Sequence, residues 1–119
     1  MDQEVFNSLK EILQPYEPYM TVVQDDADNY YLDCRKEVRK DMPMFFASVR
    51  SDKDNIIFQL MPVYAYPELL NGLNPDLRVH MQGKSRFNFR KHDPAVFEHL
   101  KELTRQGFER FREHGYIED

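Results

Sequence analysis

At 119 residues with a single cysteine, Cys34, the chain is of single-domain size and offers no pair for an intramolecular disulfide. A net charge of −5 with 31% charged residues argues for a water-facing surface and against a general nucleic-acid binder. No run approaches the roughly 18 apolar residues of a membrane span, and the acids Asp2 and Glu4 behind Met1 do not resemble a secretory leader, so one cytoplasmic α+β domain over 1–119 is expected.

Residues 3–14 place Val5, Phe6, Leu9, Ile12 and Leu13 at helical spacing, and Pro15 ends that helix. Residues 20–24 and 30–35 are β-prone runs around the turn residues Asp25, Asp26, Ala27, Asp28 and Asn29, which predicts a hairpin. Residues 36–43 read as a charged connection. Residues 44–50 form a third strand by alternation, with Phe45, Ala47 and Val49 on one face and Phe46, Ser48 and Arg50 on the other.

After a turn over 51–55, residues 56–61 give a fourth strand, with Ile56, Phe58 and Leu60 inward and Ile57, Gln59 and Met61 outward. Asn74 suits an N-cap, Pro75 a first helical position and Gly83 a terminal cap, so a short helix is expected over 75–81. In the fifth strand Phe87 and Phe89 alternate with Arg86, Asn88 and Arg90. Asp93-Pro94 then opens the last helix, over 94–114, along which Val96, Phe97, Leu100, Leu103, Phe108 and Phe111 make one apolar stripe.

Hairpin-linked strands favour an antiparallel sheet, here five-stranded, and two terminal helices with one apolar stripe each can cover only one of its faces. Phe58, Phe87, Phe89, Leu100 and Phe108 are expected to be buried together.

Charge is unevenly placed. Residues 1–34 carry eight acids against Lys10 alone, whereas residues 35–92 carry eleven bases and six acids. If the strands alternate as read, the uncovered face gathers Tyr31, Asp33, Arg35, Phe46, Ser48, Arg50, Ile57, Gln59, Met61, Arg86, Asn88 and Arg90, with Arg39 nearby. Arginine and aromatic groups are what interfaces enrich. Tyr31, Arg35, Arg50, Gln59, Arg86, Asn88 and Arg90 are therefore the candidate contacts for an acidic protein surface or an anionic small molecule. Aromatics on a sheet also admit a single-stranded nucleic acid, against the sign of the net charge.

Other motifs carry less chemistry. Gly83-Lys84-Ser85 has Arg78 where a phosphate loop needs its first glycine, and it leads into a strand. Asp25, Asp26 and Asp28 supply oxygens for a hard cation, but Tyr30 and Tyr31 stand where a calcium loop needs its turn. His80, His92, His99 and His114 have no zinc spacing, and Cys34 shares a face with Leu32, as a buried apolar residue would. No catalytic constellation is assembled by spacing.

Met42-Pro43 before an aromatic strand, a hairpin, a short helical region and Gly83-Lys84-Ser85-Arg86-Phe87-Asn88-Phe89 before a terminal helix together resemble the YdhG-like family of small bacterial proteins, over residues 42–112. The resemblance implies a frataxin-like fold and, through a member regarded as an iron chaperone, an iron-handling role. A frataxin-type iron ridge uses a long acidic first helix, where this chain has Asp2, Glu4 and Glu11.

Overall fold

The computed structural model describes residues 3–39 and 42–118, with backbone alone at 37–39 and 42. Among the described residues six antiparallel strands form one sheet: β1 Met20–Asp25, β2 Asn29–Arg39, β3 Met42–Asp52, β4 Asn55–Leu60, β5 Met81–Gln82 and β6 Arg86–Phe89. Their order across the sheet is β1-β2-β3-β4-β6-β5. The first four make a meander, since short turns return the chain antiparallel. Lys53 turns the β3–β4 hairpin at φ 57°.

The charged connection expected over 36–43 is largely strand, because β2 continues to Arg39 and β3 starts at Met42, paired antiparallel, while residues 40 and 41 lie outside the described residues. The sheet has six strands instead of five because the helix expected over 75–81 stops early. That helix, α3 (Pro75–Arg78), begins as its sequence dictates, with Asn74 Oδ1 accepting from the Asp76 amide at 2.8 Å. Met81 and Gln82 then pair with Phe87 and Arg86 as β5. Gly83, at φ 71°, turns this hairpin instead of capping a helix.

The terminal helices, α1 (Gln3–Leu13) and α4 (Pro94–Glu113), follow their apolar stripes. Asp93 caps α4, its carboxylate accepting from the Val96 amide at 3.3 Å. Phe6, Leu9 and Leu13 of α1 and Leu100, Phe108 and Phe111 of α4 share one core with Tyr30, Leu32, Val49, Phe58, Phe87 and Phe89 of the strands. The five residues expected to be buried together are, none being more than 3% exposed. Each such side chain contributes about 1.5–3 kcal/mol by leaving water.

Between α1 and β1 the prolines Pro15 and Pro18 sit in a 3-10 helix, Gln14–Tyr19. Met61, expected as the last outward residue of β4, instead opens α2 (Met61–Ala65), whose Pro62 lies against Gly107 of α4.

Strict alternation fails in β3. Leu32 pairs with Ala47 but Asp33 pairs with Phe45, so Phe46 is the extra residue of a β-bulge. Phe46 is therefore buried, with its ring centroid 5.7 Å from Tyr16 and 6.2 Å from Phe111. Phe45 takes the outward place that alternation had given Phe46.

Candidate functional site

The strand residues that do not face the helices form cross-strand rows fixed by the register. One row runs Gln24, Tyr31, Ser48, Gln59, Arg86 and Gln82, through β1, β2, β3, β4, β6 and β5. The neighbouring row runs Asn29, Arg50, Ile57 and Asn88. Adjacent strands are about 4.8 Å apart, so Arg50 and Arg86, two strands and two residues apart, project from points roughly 12 Å from each other. Ser48 and Ile57 are nearly buried between taller neighbours, which leaves Tyr31, Phe45, Arg50, Gln59, Arg86 and Asn88 as the relief of the face.

Local bonds hold several of these groups in place. Gln59 Nε2 donates to Ser85 Oγ at 3.3 Å, and the Ser85 carbonyl accepts from the Leu60 amide at 2.9 Å. The rings of Tyr31 and Phe45 stack with centroids 4.6 Å apart. Burial pushes the Asp33 carboxyl above the usual carboxylate range, and burial with the Asp33 charge pushes the Tyr31 phenol up.

The candidate arginines are distributed unequally. Arg50 and Arg86 belong to the rows above. Arg35 is turned to the edge, its Nε donating to the Met20 carbonyl at 3.1 Å. Arg90 lies beyond the end of β6, its Nε donating to Asn55 Oδ1 at 3.2 Å. There it lines a recess of about 360 Å³ with Asn55, His80, Asn88, Lys91 and Asp93. The side chain of Arg39, and Asp2, lie outside the described residues.

The sequence missed this recess. His80 Nδ1 lies 3.0 Å from the Asn88 carbonyl and its ring packs on Phe89 at 4.6 Å. The carbonyl makes Nδ1 the protonated nitrogen of the neutral ring. His80 was expected inside a helix; only β5 pairing brings it beside β6. No periodic signal marks a two-residue strand.

The three aspartates do not converge as cation ligands. Asp25 Oδ1 pairs with Lys10 Nζ at 2.6 Å. Asp26 Oδ1 accepts from the Asp28 and Asn29 amides, and its Oδ2 from Gln24 Nε2, which closes the turn and takes the Asp26 carboxyl down to about 2. Asp28, bonded to Asp26, is shifted upward. Among the described residues no group of three or more His, Cys, Asp or Glu side chains is placed to hold a metal ion. Cys34 is fully buried beside Leu32, as its face assignment required, and burial pushes its thiol up to about 12. Such a thiol is a poor nucleophile near neutrality.

Among the described residues no helix is long and apolar enough to cross a membrane. No family model matches the chain, and no curated protein or solved structure matches it.

Proposed function

We propose that the protein is a non-enzymatic binding module whose uncovered sheet face docks an acidic segment of a partner protein. The observation that supports it is the pair Arg50 and Arg86, set on either side of Ile57 and Gln59 in the strand register, with the stacked Tyr31 and Phe45 rings on the β2–β3 side of the same face. Guanidinium groups bind carboxylates in bidentate fashion, and exposed aromatic faces add contact area at little entropic cost. The rows of this face run across successive strands, which suits an extended segment better than a small molecule. The recess holding Arg90 and Lys91 continues it at the end of β6 and would receive a terminal carboxylate of the same segment.

The test is a titration of the isotope-labelled protein with a ten-residue Asp/Glu-rich peptide, followed by backbone amide shifts. Binding at the sheet moves amides of β3, β4 and β6 and leaves those of α1 in place. Shifts confined to the helices, or equal shifts with a Lys-rich peptide, would remove this reading. A stronger response to oligo-deoxythymidine or to inorganic phosphate than to the peptide would replace the acidic segment with a nucleic acid or a small anion.

A further inference from the structure

A second cavity, of about 610 Å³, opens on the connection between β4 and β6 and shares no residue with the uncovered face. Its walls are apolar: Val63 on α2, Pro67 and Leu70 on the 3-10 helix Pro67–Leu70, and Met81 on β5. Tyr64, which also lines it, is 56% exposed, and Val79, next to the lining residue Arg78, is 78% exposed. An apolar wall left partly in water at Tyr64 suits a ligand that would cover it.

What covers it is indicated by charge. Arg78 and Lys84 are the charged residues of the lining. Arg78 Nη2 donates to the Leu70 carbonyl at 2.5 Å, which ties α3 to the 3-10 helix and sets the guanidinium at the cavity. That bond uses one of the five donors of the fork. The nearby acid Glu68 is held by Arg110 of α4 at 2.5 Å and is spent there. The cavity thus joins an apolar trough to two cations, and its volume lies in the range of small-ligand sites, about 300–1,000 Å³.

We infer that this cavity binds a small amphipathic anion, an apolar chain or ring bearing one carboxylate, with the apolar part against Val63, Leu70 and Met81 and the carboxylate between Arg78 and Lys84. Gly83 places Lys84 there: its left-handed backbone turns the β5–β6 hairpin so tightly that the next residue returns over the cavity. The Gly83-Lys84-Ser85 sequence, which does not form a phosphate loop, has this role instead.

The probe is decanoate, with decanol and acetate as controls, titrated into the full chain carrying ¹³C-methyl methionine. Decanoate is expected to move the methyl of Met81 in a saturable way and to leave that of Met20, buried in the core, unmoved. Acetate should do nothing and decanol should bind more weakly than decanoate. Lys84→Gln, a change at an exposed position of the hairpin turn, should weaken decanoate about three- to fivefold, the size of one partly exposed ion pair, and leave decanol unchanged. An unmoved Met81 methyl at millimolar decanoate, equal binding of decanol, or an unaltered affinity in Lys84→Gln would each overturn the assignment. So would displacement of decanoate only by an apolar peptide with a free C-terminus that binds far more tightly, which would make the occupant a protein end.

Discussion

The ring of Tyr31 stacks on that of Phe45, 25° from parallel, on the side of the sheet away from α1 and α4. This pair exists because one residue is inserted into β3. With Phe46 as the bulge, Phe45 opposite Asp33 swings outward and Phe46 turns into the core against Tyr16, Phe108 and Phe111. The two neighbouring phenylalanines therefore do different work.

Phe46→Ala should cost about 3–5 kcal/mol, a large share of a marginal domain's stability, because it opens a cavity in a dense core. Phe45→Ala removes one partly exposed ring and should cost about 1 kcal/mol. Urea unfolding of the two variants separates them. Equal losses, or the larger loss at Phe45, would return the strand to simple alternation.

Gly107 is where α4 meets α2. A methyl group there would stand 2.8 Å from Pro62 Cβ and 3.1 Å from its Cγ, both ring atoms without freedom to swing away. Alanine ordinarily favours a helix over glycine by about 1 kcal/mol, yet Gly107→Ala should destabilise by about 1–3 kcal/mol as α2 is pushed off. In a Pro62→Ala background the same substitution should cost less, and a double-mutant cycle reads that coupling. A gain in thermal midpoint for Gly107→Ala alone would refute the contact.

Sequence patterning carried the long elements and failed on the short ones. Both terminal helices followed from apolar spacing plus Pro15, Asp93 and Pro94, because each stripe has a single way to be buried. The inward faces of β4 and β6 were legible for the same reason. The far ends of β2 and β3 were not, since the run of charges from Arg35 to Asp41 offers no apolar alternation to read. The bulge at Phe46 was invisible because two adjacent phenylalanines satisfy either register. Of the candidate site, Arg50, Gln59, Arg86 and Asn88 fell where alternation put them. Arg35 and Arg90 were drawn away by the Met20 carbonyl and by Asn55, acceptors that only the fold brings near.

Tyr30 ties the 3-10 helix to the sheet, its hydroxyl donating to the Glu17 carboxylate. Burial first, then this bond and the Glu17 charge, hold the phenol well above the usual tyrosine range. A raised folded pKa stabilises fully below the unfolded value near about 10 and loses that contribution as pH climbs past it. Tyr30→Phe should therefore cost about 1 kcal/mol at pH 7, and the gap to the parent protein should narrow between about pH 10 and 11. A gap that stays constant or widens with alkaline pH would show that the bond does not depend on the phenol proton.

Arg50 and Arg86 would carry the docking of an acidic segment, and the double variant Arg50→Gln/Arg86→Gln tests this most directly. Neither side chain is part of the core, so the thermal midpoint should stay close to the parent's. Affinity for the Asp/Glu-rich peptide should fall about tenfold or more at low salt, while the difference between parent and variant shrinks as salt shortens the screening length from about 10 Å at 0.1 M. Unchanged affinity in a folded double variant, or affinity in the parent that ignores salt, would contradict an acidic partner on this face.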